Sequence, residues 1–178
     1  MIKIDFEMRT EDEQELVKYF ESIGTPEAFG WDVPNALFTF KINGIDFSDY
    51  HSEDTVTPVL EFATKLKSSI AILQPGYRSS IFHLDGKGSL EVSRIDEKTL
   101  RFRKYKDQCV DVDIEEMRTC IDLFCLRLYQ EVIVKYRAVL EWLNEGSENE
   151  LLDQCIDLLT TPSLDCKQKA RFLDLRPI

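Results

Sequence analysis

Apolar positions along this chain change period several times, and each change marks a predicted element. Ile2, Ile4, Phe6 and Met8 alternate with Lys3, Asp5, Glu7 and Arg9, the period of two of a strand with one buried face. Thr10 then precedes Glu11-Asp12-Glu13, a capping box with acids in the first turn, and the spacing of Leu16, Tyr19, Phe20 and Ile23 continues a helix that Gly24 can close. Residues 25–34 read as a loop in which Phe29 and Trp31 are candidate anchors. Ala36 to Ile42 and Ile45 to Phe47 flank Asn43-Gly44. Both central residues of a type I′ turn need positive φ, which Asn-Gly tolerates, so a hairpin is predicted with Ile42 opposite Ile45 and Phe40 opposite Phe47.

Thr57-Pro58 opens a second predicted helix with the apolar stripe Val59, Leu60, Ala63, Leu66 and Ile70, ended by Gln74-Pro75-Gly76. Strands are expected at Ser79–Leu84, Ser89–Ile95 and Leu100–Tyr105, with a short extended piece at Cys109–Val112. Asp113 and Glu116 form a second capping box for a long helix to about Asn144, whose apolar line runs Met117, Ile121, Phe124, Leu128, Val132, Tyr136, Val139 and Leu143. Gly146 stops it, Ser147 and Glu150 cap a further helix, and a weaker one spans about Leu164 to Leu173. Hairpin-length connections make the sheet mainly antiparallel, with about five to six strands. The expected fold is therefore α+β, a single domain over 1–178, with sheet and two helices in 1–112 and a helical part in 113–178.

Charge changes this picture more than composition does. The chain carries a net charge of −11, and it is unevenly spread: residues 1–54 hold 13 acids and 4 bases, 55–108 hold 6 and 10, and 109–178 hold 14 and 8. Acids gather at Glu11, Asp12, Glu13 and Glu15, at Asp46, Asp49, Glu53 and Asp54, and at Glu141, Glu145, Glu148 and Glu150. Such clusters keep a protein soluble, and they also complement a basic protein surface and speed association with it.

Catalytic and ligand signatures are sparse. His51 lies among acids in 46–54, but the alternating acids and central glycine of a calcium loop are missing, and no zinc spacing occurs. No GxSxG elbow or phosphate-binding glycine loop is present; Asp85-Gly86-Lys87-Gly88 reads as a hairpin turn. Arg101-Phe102-Arg103-Lys104-Tyr105-Lys106 interleaves basic and aromatic residues, which reads better as an edge or solvated strand than as a nucleic-acid contact in so acidic a chain. The five cysteines, Cys109, Cys120, Cys125, Cys155 and Cys166, include no CxxC pair and are expected to be reduced thiols. Met1 runs straight into a strand pattern, and no run of 18 apolar residues occurs, so a cytoplasmic protein without a membrane span is expected. No cofactor, metal or nucleic-acid partner is expected.

Phe38-Thr39-Phe40-Lys41-Ile42-Asn43-Gly44-Ile45-Asp46-Phe47, the helix from Val56 to Leu73 and the strands to Tyr105 give the stretch 36–135 an architecture that resembles the immunity proteins of bacterial polymorphic-toxin and contact-dependent inhibition systems. The resemblance implies a small, acidic, intracellular, non-catalytic protein that binds a cognate toxin domain stoichiometrically, often a basic nuclease. It assigns no site residue. The residues expected to meet a protein partner are Asp46, Asp49, Tyr50, Glu53, Asp54, Glu11, Asp12 and Glu13. Two other expectations stand beside this one. One is a small enzyme whose site forms around His51 with Asp49 or Glu53. The other is a homodimer packed through the long helix at Cys120, Phe124 and Leu128.

Overall fold

Residues 1–8, 36–48, 59–84, 88–104, 108–135, 149–164 and 176–178 are described by a computed structural model. The predicted helix from Thr10, the loop at 25–34, the Thr57-Pro58 start, the long helix beyond Lys135, the Ser147 cap and nearly all of the last predicted helix lie outside them.

The described strands form two antiparallel sheets. The first contains β1 (Ile2–Met8), β2 (Ala36–Ile42) and the short β3 (Ile45–Asp46). The register sets Ile2 opposite Ile42, Ile4 opposite Phe40 and Phe6 opposite Phe38, so the alternating apolar positions of both strands share one face. The predicted turn is present. Asn43 has φ +50° and Gly44 φ +85°, Ile42 pairs with Ile45, and the Phe47 amide donates to the Phe40 carbonyl at 2.7 Å. The amino terminus reinforces it: the Asn43 amide donates to the Met1 carbonyl at 2.9 Å, and the Met1 ammonium donates to Asn43 Oδ1 at 2.7 Å.

α1 (Val59–Ile72) leads into the second sheet, made of β4 (Tyr77–Leu84), β5 (Gly88–Arg94), β6 (Thr99–Lys104), β7 (Gln108–Asp113) and β8 (Arg176–Pro177) in the order β7-β6-β5-β4-β8. The chain end closes one side, where the Ile178 amide donates to the Gly76 carbonyl at 2.9 Å. α2 (Ile114–Leu128) starts directly from β7. Asp113 caps it, accepting from the amides of Glu115 at 2.8 Å and Glu116 at 3.0 Å. The last described helix is α3 (Asn149–Thr160).

Three expectations need correction. The strands divide between two sheets instead of forming one: alternation sets which residues share a face, not which strands pair, and α1 separates the two groups along the chain. Of the two readings of β6, edge or solvated strand, the edge is set aside: β6 lies between β5 and β7 with Arg101 exposed, because alternation shows which side chains share a face and says nothing of the strand's neighbours. The long helix is α-helical only to Leu128 and then widens into a π-helical segment, Tyr129–Val134, which buries the adjacent Val132 and Ile133.

The core is one aromatic cluster shared by both sheets and two helices. Phe40 of the first sheet meets Phe102 of the second edge to face at 5.4 Å. Phe62 of α1 lies 4.6 Å from Phe38 and 5.1 Å from Phe40, and Phe124 of α2 lies 5.9 Å from Phe6. Two lysines are buried beside this cluster. Lys104 is 4% exposed and donates to the Asp46 carbonyl at 2.9 Å, linking the two sheets. Lys67 is 1% exposed; its Nζ sits 3.1 Å from Asp122 Oδ1 and donates to the Leu159 carbonyl at 3.1 Å. Asp122 also accepts from the Ser163 hydroxyl at 2.6 Å and from its amide at 3.1 Å. This network joins α1, α2 and the end of α3.

Removing either end of the Lys67–Asp122 pair should have unequal effects. Asp122→Ala strands a buried ammonium and should cost about 3 kcal/mol, whereas Lys67→Met leaves a partly solvated carboxylate still held by Ser163 and should cost less than about 1 kcal/mol. Urea unfolding of the two variants measures the difference; equal losses would show that the buried charge is not what matters. Gly44→Ala, at φ +85°, should destabilise the protein by about 1–2 kcal/mol in the same assay.

Candidate functional site

Of the eight residues expected to meet a partner, Asp46 alone is among the described residues. Glu11, Asp12, Glu13, Asp49, Tyr50, Glu53 and Asp54 lie outside them, as do His51, Phe29 and Trp31. Asp46 closes the first hairpin. Its carboxylate accepts from the Ser48 amide at 2.9 Å and the Ser48 hydroxyl at 2.7 Å, and it pairs with Lys41 at 3.1 Å. Ser48 Oγ in turn accepts from the Phe40 amide at 2.7 Å. Burial opposes ionisation of Asp46, but the Ser48 hydroxyl and amide and the Lys41 ammonium outweigh it and hold the carboxyl below the ordinary value of 3.8. Asp46 therefore stays charged while bound mainly to its own hairpin.

A larger charged surface lies on the other sheet. On β6, Leu100, Phe102 and Lys104 face the core, which turns Arg101 and Arg103 to the opposite side. The register brings Glu91 of β5 opposite Arg103, and Arg78 of β4 and Arg101 of β6 opposite Ser93 on either side. Arg103 Nε donates to Glu91 at 3.1 Å, and Arg78 Nη1 donates to the same oxygen at 3.4 Å. Arg101 holds Asp111 of β7 through two bonds at 2.6 and 2.8 Å, the bidentate fork that guanidinium geometry favours. Charge thus alternates from strand to strand: positive on β4, negative on β5, positive on β6, negative on β7. The basic residues that interleave with Phe102 are engaged within the protein, Arg101 and Arg103 by carboxylates and Lys104 by a carbonyl.

Pairing with Arg101 holds the Asp111 carboxyl below 3.8, although burial pulls the other way. At the β5–β6 turn, the amide of Lys98 and the hydroxyl and amide of Thr99 do the same for Asp96. These partners were not visible in the sequence. The polar alternation of 99–104 was a usable signal for the charged face, but register alone pairs Arg101 with Asp111.

Among the described residues, no three His, Cys, Asp or Glu side chains gather as a metal site would need. His83 lies on β4 opposite Ser89. Cys125 is buried, and burial together with Glu116 pushes the Cys120 thiol above its ordinary value of 9.0, away from the thiolate that reacts. Cys109 is exposed on β7.

The long helix presents a different face from the one expected for self-association. Phe124 and Leu128 are in the core and Cys120 is half-buried. Leu123, Leu126 and Val134 are instead exposed, at 64%, 45% and 54%. Arg127 turns back from that helix to β1, pairing with Asp5, donating to the Phe6 carbonyl at 2.9 Å and lying 4.6 Å over the Phe6 ring. No described helix is long and apolar enough to cross a membrane. Comparison of the chain with protein-family models, with curated proteins and with solved structures gave no match.

Acid should weaken the fold through these carboxylates. The folded pKa of Asp111 lies below its unfolded value of 3.8, so its contribution is complete above 3.8 and is lost as pH falls through the folded value. Asp111→Asn should remove part of the fall in thermal midpoint below that pH and leave the profile near pH 7 parallel to that of the unmodified protein. An unchanged acid limb would show that the Arg101–Asp111 pair does not stabilise the sheet.

Proposed function

We propose that this protein is a non-catalytic protein-binding module, an immunity-type inhibitor that neutralises a basic toxin domain. The observation that carries the reading is the net charge of −11 on a chain with a continuous aromatic core. A rigid acidic surface attracts a basic partner over a distance of about 10 Å at ordinary ionic strength and meets it without a large ordering cost. For a nuclease partner, carboxylates would occupy the positions of substrate phosphates. The acidic stretches at 11–13 and 46–54 remain the proposed contact residues, with Asp46 fixed by Ser48 and Lys41 at the start of the second.

The exposed Leu123, Leu126 and Val134 favour a second reading, a homodimer packed through α2 and the π-helical segment that continues it. Sedimentation over a range of concentrations distinguishes a constant monomer mass from a dimer that Leu126→Glu abolishes.

Pull-down from the native host, followed by mass spectrometry, identifies the partner. Its association rate should then fall about ten-fold between about 50 and 500 mM salt, with dissociation changing less. A rate indifferent to salt would remove the charge mechanism.

A further inference from the structure

β7 forms one edge of the five-stranded sheet, and among the described residues no strand pairs with its outer side. Gln108, Cys109, Asp111 and Asp113 are exposed along it, while Val112 is buried and Val110 half-buried on the core side. At the opposite edge, β8 and the Ile178 amide tie the chain's own end to β4 and Gly76. A strand paired on one side only leaves every second N–H and C=O pointing outward, ready for another chain.

We propose that the β7 edge docks a basic extended segment of another protein, which adds to the sheet as a sixth strand. This rests on the reading of the protein as a binder of a basic partner, and it names the surface and the geometry. The charge order of the sheet determines the occupant. Arg78, Glu91, Arg103 with Arg101, and Asp111 alternate in sign from β4 to β7, while Arg176 of β8 lies opposite Arg78 at the far edge; the edge strand β7 ends the series on a carboxylate, which a neighbouring Lys or Arg complements. Residues 108–117 contain four acids, Asp111, Asp113, Glu115 and Glu116, and no base; of these Asp113 caps α2, Glu115 pairs with Arg118 and Glu116 lies near the Met1 ammonium.

Arg101 already holds Asp111, but this does not close the site. Glu91 takes Arg78 on one side and Arg103 on the other, which shows that a carboxylate in this sheet accommodates two guanidinium groups at once. A second copy of the chain is a poor occupant. Antiparallel two-fold pairing of β7 with itself opposes residues of the same parity, which sets Asp111 against Asp111, Asp113 or Cys109, with no base on either strand. The incoming strand would place apolar side chains beside Val110 and Val112 and basic ones beside Asp111 and Asp113.

The test uses the full chain and a capped octapeptide of alternating Lys and Val. It should bind and slow amide hydrogen exchange at 108–113, while the same peptide with every backbone nitrogen methylated, and a Glu-Val counterpart, should not. Asp111→Arg, checked for folding by circular dichroism, should weaken the Lys-Val peptide about ten-fold. If the methylated peptide binds as well as the parent, the edge proposal is overturned while attraction of basic partners survives. Absence of binding at low salt also overturns it, and the salt dependence of the captured partner then decides the wider reading separately. Protection of the outward-pointing amides of 108–113 in the free protein, together with a dimer mass that Leu126→Glu leaves unchanged, would show that the edge is occupied by a second copy and would overturn the proposal equally.

Discussion

Contact between Phe40 and Phe102 is the joint on which the rest of the molecule depends. Among the described residues the two sheets share no hydrogen-bonded ladder, so what lies between them must hold them together. Here that is a set of phenylalanines, Phe6, Phe38, Phe40, Phe47, Phe62, Phe102 and Phe124, contributed by both sheets and by α1 and α2. Each buried ring removes enough apolar surface to supply roughly 2–3 kcal/mol. Edge-to-face and tilted packing makes each ring's position depend on its neighbours. The hairpin, the two helices and the five-stranded sheet are therefore mutually positioned through one cluster.

Buried cations set orientation within that frame. Lys104 reaches from β6 to the Asp46 carbonyl, and Lys67 reaches from α1 to Asp122 and the Leu159 carbonyl. A buried ammonium is costly unless its donors are satisfied, so these contacts punish any slip of one element past another more than they add to net stability. Lys104 also fixes the backbone of the residue whose side chain is the described end of the acidic stretch 46–54.

Surface charge has two distinct arrangements. From β4 to β7 of the five-stranded sheet, arginines and carboxylates alternate and pair with one another within the fold. The net negative charge resides largely in the first 54 residues and after residue 108. Paired charges act locally between strands, whereas the net charge of the chain acts over distance. The exposed Leu123 and Leu126 of α2 and Val134 of the π-helical segment after it give this part of the chain apolar surface, different in character from the charged sheet.

Local periodicity was enough to place most described strands and helices. The Asn43-Gly44 turn, the Asp113 cap and the buried line Met117, Ile121, Phe124, Leu128 and Val132 follow from backbone preferences and from the need to bury one face, both written within a few residues of chain. The α+β class and the net acidity were legible for the same reason. Neighbours far apart in sequence were not. The division into two sheets, the interior place of β6, the pairing of Arg101 with Asp111 and the burial of Lys67 and Lys104 depend on which faces meet after folding. A hydrophobic pattern says that a side chain is buried, but only the packed chain decides what it is buried against.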